Sequence, residues 1–182
     1  FGELLPKIQT NCDKEDFIER VDEIFRQSIE FRSRSDVPVG TLLSGGLDSS
    51  VITALFCQRS TKDVDTFCMD FKGKDFNEGH YARMVADRYN TTHHSYTLNL
   101  NQAIHELDEL LPIMDEPLGD SAIIPSYILS KLARQENITV MLSGAGGDEL
   151  FGGYSRHYPN KQNFISGKLP LIPVSLWRFL GN

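Results

Sequence analysis

The chain has 182 residues (20.6 kDa), 40% of them hydrophobic, enough to bury roughly 70% of the unfolded surface without a disulfide or metal staple. A net charge of -7 and a sequence pI near 5.2 argue against a broad phosphate-neutralising surface for DNA or RNA, but not against a small nucleotide carried with Mg²⁺. Cys12, Cys57 and Cys68 form neither a disulfide framework nor a zinc spacing, and no apolar run approaches the ~18 residues of a membrane span. A reducing, cytoplasmic setting is the expectation, and Phe1 in place of Met points to a fragment or a processed chain.

Residues Glu15 to Phe31 place Phe17, Ile18, Val21, Ile24, Phe25 and Ile29 at helical spacing, predicting a helix with one apolar stripe and Asp13 as N-cap. Val39 to Leu43 reads as a buried strand running into Ser44-Gly45-Gly46, and Asp48 to Gln58 as the helix that follows. Val64 to Phe71 is a second strand, Asn77 to Tyr89 a helix, and Thr91 to Leu98 a third, less apolar strand suited to a sheet edge. Helical stretches follow at Asn101 to Leu111 and Ile124 to Arg134. Ile138 to Leu142 is a fourth strand, entering Ser143-Gly144. Strands alternating with helices predict an α/β fold, a doubly wound and mostly parallel sheet with helices on both faces. Beyond Tyr158 the pattern dissolves among Pro159, Pro170 and Pro173, a tail leading toward a helical part outside the chain. The reading is one domain over residues 1–182.

Two glycine turns carry the chemistry. In Leu42-Leu43-Ser44-Gly45-Gly46-Leu47-Asp48-Ser49-Ser50, a strand exit becomes a helix start, where free N–H groups and the macrodipole favour an anion. The serines add hydroxyls. No Lys follows the glycines, so this is no Walker loop, and the G-x-G-x-x-G spacing is also missing. Asp48 would repel phosphate unless a divalent cation bridged them, so a phosphate cradle here predicts Mg²⁺. The second turn, Ser143 to Tyr154, has five glycines in twelve residues together with Asp148 and Glu149. Two such loops leaving one parallel sheet can lie together at its carboxyl edge, where open sheets bind ligands.

These motifs resemble those of the ATP pyrophosphatase superfamily, an adenine nucleotide alpha hydrolase-like, Rossmann-like fold. In particular they are similar to the synthetase domain of glutamine-hydrolysing asparagine synthetases. Ser44-Gly45-Gly46-Leu47-Asp48-Ser49 looks like the pyrophosphate loop, and Ser143-Gly144-x-Gly146-Gly147-Asp148-Glu149-Leu150-Phe151-Gly152-Gly153-Tyr154 like the family's second signature. Asp115-Glu116-Pro117, the segment Ile124 to Ala133, and Glu78 to Arg83 ahead of His93-His94 add to the resemblance, which runs from Val37 to His157. It implies a carbon–nitrogen ligase. ATP activates a carboxylate (aspartate) as an acyl-adenylate, releasing pyrophosphate, and ammonia from glutamine then displaces AMP. By motif, Ser44, Gly45, Gly46, Asp48 and Ser49 would hold pyrophosphate, and Leu42, Met69, Ser143 and Gly144 would contact adenosine. Asp48 and Asp148 would bind Mg²⁺ and act in catalysis.

The resemblance further implies a glutaminase domain as the ammonia source, absent from these residues, leaves a homodimer open, and calls for no nucleic acid or membrane partner. Weak turnover is expected of these residues alone. Ala145 stands where many members carry an acid, and Gly119-Asp120-Ser121 where some present Arg and Thr. The alternatives are another ligase of the superfamily (NAD- or GMP-synthesising, or tRNA-modifying) and a non-catalytic nucleotide-binding domain.

The remaining candidates read as structural. Adjacent residues of a strand face opposite ways, so His93-His94 is a poor chelate. His105-Glu106 lacks a second His four residues on, Cys57 and Cys68 sit in apolar runs, and Arg156, His157 and Trp177 read as surface or edge residues.

Overall fold

The computed structural model describes residues 13–71, 79–116, 118–120 and 122–151. Helix α1 (Lys14–Arg32) leads into strand β1 (Val39–Leu42), followed by α2 (Leu47–Arg59), β2 (Asp65–Phe71), α3 (Gly79–Tyr89) and β3 (Thr92–Leu98). Helix α4 (Leu100–Leu110) passes into a 3₁₀ turn (Leu111–Ile113), then α5 (Ile123–Gln135), β4 (Val140–Leu142) and the short α6 (Gly147–Phe151). The chain divides into two compact units, residues 1–144 and 145–182, and α6 belongs to the second.

The four strands form one sheet in the order β3-β2-β1-β4, every pair parallel. The expected α/β architecture is therefore present, and β3 takes the edge that its polar composition suggested. Parallel pairing needs crossovers, and the helices supply them. On one face Ile29, Leu55, Phe56, Val64 and Leu142 cluster, and beside them Leu43, Cys68, Ala82 and Ala86. On the other, Phe67, Leu129, Ala133 and Ile138 pack with half-buried Leu42, Met69 and Met141. Because strand side chains alternate, neighbouring residues feed opposite cores: Cys68 goes with α3, while Phe67 and Met69 go with α5.

Local chemistry sets several helix boundaries. Asn99 and Gln102 form a reciprocal capping box at the start of α4, at 2.9 and 3.2 Å. Helices α3 and α5 both end on an asparagine with positive φ (Asn90 at 50°, Asn137 at 62°), the residue after glycine best suited to that turn. Lys131 of α5 ties the two helices of that face together, reaching Glu106 at 2.9 Å and Glu109 at 2.7 Å. These two bonds raise the Lys131 pKa and lower that of Glu109.

The α1 stripe is divided. Ile29 is buried and Phe25 packs beside it, but Phe17, Ile18 and Ile24 are each more than half exposed. Asp13 precedes α1 without a side-chain capping bond. Residues 77–78 of the expected third helix, Cys12, Arg156, His157 and Trp177, and the tail beyond Tyr158 lie outside the described residues. No helix among the described residues is long and apolar enough to cross a membrane.

Candidate nucleotide site

Strand order places the candidate site. The chain steps outward from β1 to β2 to β3, then returns to β4 on the opposite side of β1. The point where the winding reverses lies between β1 and β4, and a crevice opens there at the carboxyl ends of the strands. Thr41 pairs with Leu142, so the Ser44 turn and the Ser143 turn leave the sheet side by side.

In the first turn Gly45 adopts φ 90°, a conformation glycine takes at no steric cost. Leu43 is fully buried and its N–H still donates to Phe67 at 2.8 Å, which anchors the turn to the sheet. Gly46 is the N-cap of α2 and offers no side-chain cap. The hydroxyls brace the turn. Ser49 Oγ donates to the Gly46 carbonyl (3.1 Å) and accepts from the Ser44 N–H (3.2 Å), and it lies 3.0 Å from Ser44 Oγ. Ser44 Oγ accepts from the Gly46 N–H at 3.2 Å, and Ser50 Oγ donates to the Gly46 carbonyl at 2.7 Å. The main-chain N–H groups of Leu47, Asp48 and Ser49 belong to the first turn of α2, which has no intrahelical acceptors to offer them. An anion is the natural partner for these donors.

The second turn closes on the first. A Cβ placed on Gly144 would lie 2.7 Å from the Ser49 main-chain nitrogen and 3.0 Å from both the carbonyl carbon and the Cβ of Asp48. Residue 144 therefore has to be glycine for the β4 turn to seat against the start of α2. Leu42 and Met69 share the α5 face near the ends of adjacent strands, both half-buried. Six of the sequence-predicted residues (Ser44, Gly45, Gly46, Asp48, Ser49 and Gly144) are thus gathered at one turn junction. Leu42, Met69 and Ser143 border the same edge. Asp148 occupies the first turn of α6, within the second unit.

Asp48 is half-buried in the first turn of α2, and among the described residues its carboxylate makes no hydrogen bond or ion pair. No three His, Cys, Asp or Glu side chains among the described residues form a metal nest. Mg²⁺ needs only one or two carboxylates when phosphate and water supply the remaining oxygens, so the donor chemistry here fits that ion.

The family description "Asparagine synthase" matches residues 20–179. The chain belongs to the asparagine synthase family. It is 38% identical over 167 residues to the putative glutamine-hydrolysing asparagine synthetase 2 of Methanocaldococcus jannaschii, covering 91% of this chain and 32% of that protein. Asparagine synthetase 1 of Bacillus subtilis is 36% identical over 148 residues, covering 81% of this chain and 23% of its own length. The chain thus spans a third or less of these relatives. Its fold is shared with the U34-tRNA thiolase NcsA of Methanococcus maripaludis (TM-score 0.54, 19% identity, covering 87% of this chain and 54% of that one). It is shared also with the glutamine-dependent NAD⁺ synthetase of Acinetobacter baumannii solved with ADP (TM-score 0.52, 21% identity, 81% and 29%). This is the adenine nucleotide alpha hydrolase-like fold expected from the motifs.

The two histidines of β3 do face opposite ways in this asparagine synthase domain. His94 stacks on Phe67 with ring centroids 4.8 Å apart and bonds Asp65 at 2.8 Å. His93 Nδ1 lies 2.8 Å from Thr66 Oγ1, which also meets Thr91 Oγ1 at 3.0 Å. Among the described residues, His93 Nε2 and Asp70 Oδ1 are buried without a hydrogen-bond partner, a feature no sequence pattern reveals. Burial, reinforced by the Arg83 guanidinium, holds the His93 pKa below its ordinary 6.5, against the pull of Asp70 and Asp87.

The unfolded chain takes up this proton at higher pH than the folded one. The His93 contribution to stability is therefore complete above 6.5 and is lost as pH falls through the lower folded value. Replacing His93 with Asn, which lacks a titrating ring, should flatten that part of the profile. Urea unfolding of both proteins between about pH 7.5 and 5 should show wild type losing more stability toward acid. Parallel profiles would contradict the assignment.

Proposed function

We propose that this chain is the ATP-using, amide-forming part of a glutamine-dependent asparagine synthetase, working in the cytoplasm. The observation that carries the reading is the seating of Gly144 against Ser49 and Asp48, which joins two glycine turns at the switch point of a parallel sheet. A carboxylate oxygen of aspartate attacks the α-phosphorus of ATP, and the bond to the pyrophosphate oxygen breaks. Ammonia then attacks the acyl carbon, AMP departs, and the nitrogen loses a proton to give the amide.

Negative charge grows on the leaving pyrophosphate, and the N–H groups of Leu47, Asp48 and Ser49 are fixed in place to receive it. Ser44, Gly45 and Gly46 shape the cradle, while Leu42, Met69, Ser143 and Gly144 border the adenosine end. Asp48 and, by the family motif, Asp148 would hold Mg²⁺, whose chemistry is to neutralise phosphate charge. Ammonia would come from a glutaminase domain of the complete protein, as the names of the relatives suggest.

The test is isotope exchange between pyrophosphate and ATP, catalysed by the full-length protein with Mg²⁺. Exchange that requires aspartate is expected. Exchange without any amino acid, or with none of those offered, would reject the reading.

A further inference from the structure

Helix α2 is joined to β1 and its turn by two hydroxyl contacts. Thr41 Oγ1 and Thr53 Oγ1 are 2.9 Å apart, and both residues are 0% exposed. One turn nearer the start of α2, on the same face, Ser49 Oγ lies 3.0 Å from Ser44 Oγ. Ser49 is itself buried, and a turn beyond Thr53 the side chain of Phe56 enters the apolar cluster that Val39 borders. Ser49, Thr53 and Phe56 therefore form the side of α2 that rests on the strand, apolar at one end and hydroxyl-paired toward the cradle.

Stability does not account for the Thr41–Thr53 pair. Two hydroxyls bonded to each other use one of their two protons, and among the described residues neither oxygen has a further hydrogen bond. Valine has the same branched shape and brings no proton to match, so a pair of valines would fill the space with nothing left unpaired. What a hydrogen bond adds over an apolar contact is direction. It fixes how far α2 sits along β1 and how the helix is turned about its axis, both of which a contact between methyl groups leaves loose.

The tolerance at the start of the helix is narrow. A Cβ on Gly144 would stand 2.7 Å from the Ser49 main-chain nitrogen, so α2 has little room to slide before it strikes the β4 turn or draws away from it. Donors that receive a developing charge act over only about 2.7–3.1 Å. Resting on the nucleotide reading given above, we propose that Thr41 and Thr53 are positioning residues for the reaction. Both are too deeply buried to touch a ligand. Their bond sets α2 on β1, and through α2 it sets the N–H groups of Leu47, Asp48 and Ser49 against the departing pyrophosphate.

Two double variants of the full-length protein test this, by aspartate-dependent pyrophosphate exchange and by urea unfolding. Thr41→Val with Thr53→Val keeps the shape and removes the bond. It is expected to unfold at a urea midpoint no lower than wild type, yet to lose about tenfold in exchange rate at saturating ATP, with a smaller change in KM. Thr41→Ser with Thr53→Ser keeps the bond and removes two buried methyl groups. It should unfold earlier but retain most of its exchange rate. Activity that instead follows stability, or a valine pair exchanging at the wild-type rate, would overturn the proposal. So would a valine pair that fails to fold, because the bond would then serve the fold itself. Wild type without exchange would reject the nucleotide reading and this inference with it, whereas full exchange by both wild type and the valine pair rejects the inference alone.

Discussion

Replacing Gly144 with alanine is expected to weaken Mg-ATP binding by the full-length protein about tenfold or more. The added methyl meets main-chain and Cβ atoms of Asp48 and Ser49 at 2.7 to 3.0 Å, not a flexible side-chain tip. Neither the β4 turn nor the start of α2 can give way without displacing the N–H groups of the cradle. Overpacking of this kind costs about 1–3 kcal/mol, and here the strain falls on the donors themselves. Gly119 provides the control: nothing lies within 4 Å of a Cβ placed there, so Gly119→Ala should bind nucleotide as wild type does. Calorimetric titration of the two variants decides the matter. Equal affinities would show that the contact does not shape the site.

Asp48→Asn should have the second large effect. Because the carboxylate has no hydrogen bond or ion pair among the described residues, the fold loses only its favourable placement at the start of α2, about 0.3–1 kcal/mol. The aspartate-dependent pyrophosphate exchange, in contrast, should fall about 10²–10³-fold, because metal-borne charge on the leaving group is worth several kcal/mol. Raising Mg²⁺ should recover part of the loss. A variant with normal exchange at limiting Mg²⁺ would remove Asp48 from the metal site.

The strands and long helices were legible because each has a period to read. The polar Thr92, His93, His94 and Ser95 suited β3 to an edge, which it takes, and the run Val39 to Leu43 read as a buried strand. Helix α6 was not legible: five residues are too few to show a 3.6-residue repeat, and its glycines read as loop. The Leu111–Ile113 turn was likewise not read, the expected helix stopping at Leu111, its first residue. Both turn motifs were readable in sequence, but their adjacency depended on strand order, which no local pattern contains.

The hydroxyls of Ser44, Ser49 and Ser50, expected as donors to a phosphate, are all bonded within the turn, an arrangement the motif does not reveal. The α1 stripe shows a similar limit. Periodicity reveals which side of a helix seeks cover, but not which chain provides it.

The hydroxyl bonding has a consequence for how a ligand would arrive. Gly45 and Gly46 would be costly to freeze if the loop were slack, since glycine has the most conformational freedom to surrender. With Ser44, Ser49 and Ser50 already binding the loop to itself, that entropy is lost when the chain folds and not when a guest docks. The receptor is rigid in advance, so recognition here is a lock waiting for its key.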